Sequence, residues 1–193
     1  MDKIKARKEQ QWKDREQQIL QSAKKIAHCE GWQSVSIRRI ADEIAYSVPV
    51  IYSHFASKDA LLGTIMQEGF QKLDERMLQA KNTTADVQEQ LIQISLAQLA
   101  FALEHKELYQ LMFGLGGVVC NPAHHVQEES VPALLKKIVN QLKKDDTPAK
   151  ELMENWFVLV HGFISHVLRL SEPDANEAAR RLKKHLERFI RSL

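Results

Sequence analysis

Apolar residues recur every three to four positions along most of this chain, which is the spacing that lines one face of an α-helix. The pattern and its breaks predict helices over residues 12–30, 36–44, 47–55, 57–77, 87–103, 108–113, 131–142, 150–170 and 174–193. No segment alternates apolar and polar residues as a half-buried strand does, and no internal repeat is visible. We therefore predict an all-α fold of about nine helices.

Residues 36–58, SIRRIADEIAYSVPVIYSHFASK, have the organisation of two short helices joined by a tight turn at residues 45–46. Ser36 is placed to cap the first helix and Ser47 to cap the second. Pro49 falls in the first turn of the second helix, where its missing N–H costs nothing. A helix of about two turns is not stable alone, so we expect the second helix to be held against the first.

The second of these helices would bury Ile51 and Phe55 and turn a mixed surface outward. Valines can pack on thymine methyl groups, whereas hydroxyl, imidazole and cationic groups can bind phosphates. A short, rigidly held helix with such a surface is suited to the major groove of DNA. The candidate DNA-contacting residues are Ser36, Arg38, Arg39, Ser47, Val48, Pro49, Val50, Tyr52, His54 and Lys58.

The same stretch, continued to residue 62, resembles the DNA-binding domain of TetR-family transcriptional regulators. The features shared at the family's spacing are Ser36, Ile40–Ala41, Tyr52, His54–Phe55, Ser57–Lys58–Asp59 and Leu61–Leu62. The likeness covers about residues 13–73. Two further segments, ELYQLMFG at 107–114 and NWFVLVHGF at 155–163, resemble the C-terminal domains of one subgroup of that family.

The resemblance implies an N-terminal three-helix helix-turn-helix domain over residues 1–62 and a C-terminal helical ligand-binding and dimerisation domain over residues 63–193. It further implies a homodimer that binds a pseudo-palindromic double-stranded DNA operator. A small, mostly apolar effector in the C-terminal domain would lower the DNA affinity, as in a repressor. A phosphate contact by Lys58 is also an implication of the resemblance.

Three residues depart from the family's usual pattern. Many members have lysine at the position of Val48 and glycine at that of Pro49, so this chain has fewer polar groups for bases and would rely more on DNA shape or water. Ala45 stands where the family usually has glycine. Either Ala45 is held in a left-handed conformation, at a cost of about 1 kcal/mol, or the turn avoids positive φ.

Residues 1–10, MDKIKARKEQ, lack helical periodicity and are basic. They fit either a frayed, solvated terminus or a basic arm that reaches phosphates or a minor groove.

Aromatic residues and methionines at helical spacing fit either a solid core or the lining of an apolar ligand cavity. The family resemblance favours a cavity for some of them. The candidate pocket residues are Met66, Phe70, Phe101, Tyr109, Met112, Phe113, Trp156, Val160 and His161.

The last two predicted helices carry apolar stripes of unequal width, and the broader one suggests burial on two sides. One side would be the chain's own core and the other a second copy, although a single monomer core could also account for the stripes. The candidate dimer-interface residues are Trp156, Phe163, Val167, Leu182, Leu186 and Phe189.

Composition and charge add little to this picture. The chain has 193 residues and a formal net charge of +2, and residues 1–62 carry 11 Lys and Arg against 8 Asp and Glu, a weak basic bias. Two cysteines and no visible signal peptide or membrane span fit a cytoplasmic protein. His105, Cys120, His124, His125, His161 and His166 invite a metal-dependent helical enzyme as an alternative, but they lack ligand spacing. We predict no enzyme activity, no metal and no cofactor.

Overall fold

A computed structural model of the chain describes residues 2–115, 117 and 131–193. Every regular secondary-structure element in these residues is a helix, which confirms the predicted all-α class. The α-helices are α1 (Asp2–Glu30), α2 (Ile37–Glu43), α3 (Val48–His54), α4 (Lys58–Lys81), α5 (Val87–Glu104), α6 (Lys106–Met112), α7 (Val131–Leu142), α8 (Ala149–Val167) and α9 (Ala175–Ser192).

The first helix begins much earlier than its apolar pattern predicts. Residues 2–10, expected to be irregular, are the first turns of α1. The segment is rich in Lys, Arg, Gln and Glu, which are good helix formers even where no apolar face is buried. Two side-chain contacts between residues four apart join the end of this segment to the next turn of α1. Lys13 Nζ lies 3.5 Å from Glu9 Oε1, and Gln10 Nε2 donates to Asp14 Oδ1 at 2.8 Å.

Local chemistry sets the ends of the other helices. The Ser36 hydroxyl accepts from the Arg39 amide as predicted, and the Asp86 and Asp174 carboxylates cap α5 and α9 in the same way. Gly31, with φ of 82°, ends α1. Ala45 has φ of 54°, so the turn between α2 and α3 uses the left-handed conformation and retains its strain.

The described residues fall into two compact units. Residues 2–69 with 107–115 and 117 form one, here called the N-terminal unit. Residues 70–106 with 131–193 form the other, the C-terminal unit.

In the N-terminal unit, α1 packs on α2, and α2 packs on α3. Its core is closed by fully buried aliphatic side chains, Ile19, Leu20, Ile40, Ile51, Leu61, Leu62 and Ile65. Trp32, in a single 3-10 turn (Trp32–Ser34), is buried and its Nε1 donates to the backbone oxygen of Glu107 at 2.6 Å. Trp32 is therefore a core residue that also holds the start of α6.

In the C-terminal unit, α5 packs against α7, α8 and α9. Its buried side chains include Leu91, Ile94 and Leu99 of α5, which explains the strongly apolar composition of that helix. Among the residues described, no helix combines the length and apolar character needed to cross a membrane.

Candidate nucleic-acid interface

The exposed face of α3 is the centre of the candidate interface. Ile51 is fully buried and Phe55 is nearly so, and together they hold α3 against the rest of the N-terminal unit. On the opposite side Tyr52 is 51% exposed, and Val48 and Val50 are half-buried. One side of α3 thus packs against the N-terminal unit, and the other side presents a mixed apolar and hydroxyl-bearing surface, as its sequence predicts.

The start of α3 differs from the expectation in one detail. Ser47 is its N-cap residue, and Pro49 lies in the first turn as predicted, but the Ser47 side chain makes no capping hydrogen bond. Instead its backbone oxygen accepts from the Val50 amide at 2.9 Å. The proline removes one amide that a cap would otherwise satisfy, and the exposed Ser47 hydroxyl is left at the surface.

The two arginines of α2 differ in their surroundings. Arg38 is exposed and forms no ion pair with any residue that the structure describes. Arg39 makes a two-pronged pair with Glu30, with Nη1 2.7 Å from Oε2 and Nη2 on Oε1. Hydrogen bonding to Glu30 raises the pKa of Arg39, and Arg39 in turn lowers the pKa of Glu30. Glu30 thus takes two of the five N–H donors of Arg39 and competes with a phosphate for this side chain.

His54, at the end of α3, stacks on Trp12 of α1 with ring centroids 3.8 Å apart. Its Nδ1 is buried and has no hydrogen-bond partner among the described residues. Desolvation lowers the pKa of His54 from its ordinary value of 6.5, which disfavours the charged form of the ring. A protonated imidazole would bind a phosphate more strongly than a neutral one, and this packing opposes the protonated form.

The beginning of α4 carries the remaining candidate. The Ser57 hydroxyl accepts from the Ala60 amide at 3.0 Å and caps the helix as predicted. Lys58 is the first residue of α4, is half-buried, and has no ion pair in the described part of the chain. A lysine at the positive end of a helix dipole is electrostatically disfavoured, which is consistent with an anionic partner from outside the chain.

The candidate pocket residues are mostly core residues of their own units. In the N-terminal unit, Met66, Tyr109 and Met112 are buried, and Phe113 packs its ring against Tyr109 with centroids 4.5 Å apart. In the C-terminal unit Phe101, Trp156 and Val160 are buried, whereas Phe70 and His161 are half-buried.

A partly open groove of about 280 Å³ lies elsewhere in the C-terminal unit. Three of its six lining residues are charged and none is a candidate pocket residue, so it does not match the predicted apolar site. The lining residues are Gln88, Ile92, Lys144, Glu187, Ile190 and Arg191.

Four of the six candidate dimer residues are buried within the single chain. Trp156, Val167, Leu182 and Leu186 are at most 4% exposed in the single chain, because the stripes of α8 and α9 pack into the chain's own core. Phe163 and Phe189 are half-buried. On α8 the exposed apolar surface is instead provided by Phe157 and Val158, at 40% and 69%.

Within the described ranges no cluster of three or more His, Cys, Asp or Glu side chains is arranged to hold a metal ion. Cys120, His124 and His125 lie outside those ranges. Of the other histidines considered for a metal, His105 packs edge-on against Phe101 with centroids 4.9 Å apart.

Comparison with known proteins matches both parts of the chain to one family. Residues 19–65 match the family model described as "Bacterial regulatory proteins, tetR family". Residues 91–190, which are more than half of the chain, match the model described as "Tetracyclin repressor-like, C-terminal domain".

Two individual relatives share modest sequence identity with this chain. The HTH-type transcriptional repressor KstR of Rhodococcus jostii (strain RHA1) is 21% identical over 180 residues, covering 92% of this chain and 84% of that protein. The HTH-type transcriptional activator FasR of Mycolicibacterium smegmatis is 30% identical over 100 residues, covering 52% of this chain and 46% of that protein.

Solved structures share the fold. A protein of unknown function from Rhodococcus sp. RHA1 superimposes with a TM-score of 0.70 at 22% identity, over 92% of this chain and 94% of that one. A TetR family transcription regulator from Marinobacter aquaeolei VT8 gives 0.67 at 17% identity, over 94% and 97%.

Proposed function

Because this chain belongs to the TetR family of DNA-binding transcription regulators, we propose that it acts as a homodimeric repressor in the cytoplasm. Each copy inserts α3 into a major groove, and the two half-sites of a pseudo-palindromic operator lie about one helical turn, or 10–10.5 base pairs, apart. Residues 1–62 provide DNA binding, and residues 63–193 provide regulation and dimerisation.

The observation that carries the proposal is the outward surface of α3. One side of this seven-residue helix is fixed by buried Ile51 and Phe55, and the other side exposes Tyr52 beside two valines. A recognition helix needs both properties, because base contacts are selective only when the helix cannot shift in the groove.

The proposed contacts divide by chemistry. Tyr52, Arg38 and Lys58 bind phosphates, as does the free hydroxyl of Ser47, and Arg39 joins them on release from Glu30. Ser36 acts through its cap, which orients the start of α2. Val48, Pro49 and Val50 pack on base edges, where thymine methyl groups are their apolar partners. His54 reaches the duplex only through its Nε2, since its Nδ1 is buried.

The proposed effector is small and mostly apolar, and it favours a packing in which the spacing of the two α3 helices no longer fits the operator. It can shift this equilibrium only by its differential affinity for the two states, and moving from 1:99 to 99:1 requires about 5.5 kcal/mol. The half-buried members of the candidate pocket, Phe70, Phe113 and His161, are the first residues to test.

A second candidate keeps DNA binding but replaces the effector by a protein partner. It is favoured by the burial of Phe101, Trp156 and Val160, which are at most 4% exposed in the core of the C-terminal unit. A solid interior leaves regulation to partner binding or to the abundance of the protein.

The test of DNA recognition is selection of fragments from random-sequence DNA with the purified full chain, followed by fluorescence anisotropy on the selected site. Lys58→Ala should weaken binding to all sequences alike and reduce the steepness of the salt dependence, by about 0.9 in the log–log slope per lost phosphate. Val48→Ala should change which sequence is preferred. Lys150→Ala, an exposed lysine of α8, is the matched control and should change neither.

The two modes of regulation differ in an observable of the purified protein. Native mass spectrometry should show a copurified apolar molecule, and its extraction should raise the affinity for the selected site. The protein partner is favoured if the purified protein carries no bound molecule and its DNA affinity does not change when the organic extract of the producing cells is added.

A further inference from the structure

The N-terminal part of α1 is a basic, exposed helix that the recognition surface does not account for. Residues 3–8 contain four cationic side chains and no acidic one, and all are exposed. None of the four forms an ion pair with another described residue. The first fully buried side chain of α1 is that of Ile19, so these turns are not part of the core.

The position of this helical segment is fixed beside α3. Trp12 stacks on His54, the last residue of α3. A second contact lies further along α1, where Tyr46 Oη donates to Gln18 Oε1 at 2.8 Å. These two contacts fix the direction of α1. The part of α1 that precedes Trp12 therefore extends beyond the helix-turn-helix at the C-terminal end of α3.

Helix geometry separates the four cations into two pairs. Lys8 and Lys5 precede Trp12 by four and seven residues and so lie on the face of α1 that carries Trp12, the residue that stacks on the end of α3. Lys3 and Arg7 precede Trp12 by nine and five residues, about 180° and 140° around the helix at 3.6 residues per turn. Along the helix axis Lys8 and Lys5 lie roughly 6 and 10 Å before Trp12, at 1.5 Å per residue.

We propose that Lys5 and Lys8 form a second DNA-contacting element, which binds the phosphates that flank the major groove entered by α3. The groove is about 12 Å wide, so the backbone that borders it comes within reach of cations placed this close to the end of α3. The Trp12–His54 stack is the positioning pair, because it aims the face that carries both lysines toward the duplex. The contacts add affinity without reading sequence.

This inference rests on the proposed function, and its test separates the two. Full-length protein is titrated onto its selected DNA site between about 50 and 200 mM salt. The variant Lys5→Gln/Lys8→Gln is compared with Lys3→Gln/Arg7→Gln, which removes the same charge from the opposite face of the same helix. Circular dichroism verifies equal helicity.

For Lys5→Gln/Lys8→Gln we expect the log–log slope to fall by about 1.8 for each chain bound, at about 0.9 per phosphate. The ratio of its dissociation constant to that of the unaltered protein should then fall about tenfold between 50 and 200 mM salt, because the two slopes differ by about 1.8 over a fourfold change in salt. Lys3→Gln/Arg7→Gln should retain most of the slope. Equal effects of the two pairs, or none, would overturn the proposal.

The positioning role has its own readout. In a Trp12→Ala background the lysine substitutions should have a much smaller effect on the slope, whereas Trp12→Phe, which can still stack on His54, should preserve it. An undiminished lysine effect in Trp12→Ala would refute the positioning role. If the unaltered protein selects no DNA site at all, the proposed function itself fails, and that result is distinct from every outcome above.

Discussion

One buried hydrogen bond joins α5 to α8. Trp156 Nε1 donates to Ser95 Oγ at 2.9 Å, and the Ser95 hydroxyl donates onward to the Leu91 backbone oxygen at 2.7 Å. Ser95 is fully buried and Trp156 is 4% exposed, so water cannot replace either partner. The serine thus satisfies the one polar atom of an otherwise apolar indole.

Ser95→Ala should lower the free energy of unfolding by about 1–3 kcal/mol, the cost of leaving a buried donor without its acceptor. Ser165→Ala is the matched control, because the Ser165 hydroxyl donates to the backbone oxygen of His161 within its own helix and is only half-buried. Urea denaturation measures both. Equal stability of the two variants would show that the indole finds another acceptor.

His54 should make stability depend on pH. Its pKa in the folded protein is below the ordinary 6.5 because desolvation disfavours the cation, so below about pH 6.5 the unfolded chain binds more protons. The contribution of neutral His54 to the free energy of unfolding is therefore complete above that pH, and it is lost as the pH falls through the pKa of the folded protein. His161, whose pKa is also lowered by burial, acts in the same direction.

His54→Phe should accordingly lessen the loss of stability between about pH 7.5 and 5.5, while an aromatic ring still faces Trp12. The measurement is the denaturation midpoint at each pH. An unchanged pH dependence in both His54→Phe and His161→Phe would mean that neither ring resists protonation in the folded chain.

The candidate site illustrates what sequence can supply at the residue scale. Ser36, Ser57 and the buried pair Ile51 and Phe55 follow from capping and periodicity, which are local. The Glu30–Arg39 pair and the Trp12 stack join different elements, and no local pattern encodes them. The apolar periodicity makes Trp12 only the first residue of the predicted helix at 12–30, whereas its 45% exposure and its contact with His54 give it a different role.

At the scale of elements, α4 and α6 approach closely where Gly69 has no side chain. A Cβ at this position would lie 2.7 Å from Met112 Sδ and 3.0 Å from Leu108 Cδ1. Those distances are shorter than van der Waals contact, so the glycine sets the separation of the two helices within the N-terminal unit. The start of α6 is fixed in addition by the Trp32 hydrogen bond to Glu107.

Gly69→Ala should therefore lower the free energy of unfolding by about 1–3 kcal/mol through overpacking. Gly63→Ala tests the opposite case on the same helix, since a Cβ there meets no atom within 4 Å. It should stabilise the protein by about 0.5–1 kcal/mol through helix propensity alone. If both substitutions stabilise, Met112 rotates away freely and the close approach carries no constraint.

Most helices can be placed from their sequence because each carries its own apolar stripe and its own stop signal, such as Gly31 or the polar run at residues 82–84. The start of α1 could not be placed in this way. Residues 3–10 are all exposed, so this segment lacks the periodicity by which a helix is recognised, and only its intrinsic propensity indicates one.

At the scale of the whole molecule, the sequence indicates an excess of apolar surface on α8 without saying which side faces a second copy. Trp156 and Val167 point into the chain's own core. An apolar stripe has the same periodicity whether it packs inside one chain or between two, so the assignment requires the fold. The exposed Val158 is the better marker of an intermolecular surface.

If two copies associate through this side of α8, Val158→Asp should convert the dimer to monomer, because burying an unpaired carboxylate costs several kcal/mol. Ile4→Asp is the matched control. Ile4 is 70% exposed against 69% for Val158, and it lies on α1 of the N-terminal unit. Sedimentation velocity of both variants measures the effect, and Ile4→Asp should remain dimeric.

The same variant links association to DNA binding. A monomer reads one half-site, so Val158→Asp should lose most of its affinity for the full operator while keeping its weak affinity for an isolated half-site, since α3 is untouched. A Val158→Asp protein that sediments as a dimer would move the interface away from Val158. A monomer that binds the full operator as tightly as the unaltered protein would contradict the requirement for two recognition helices.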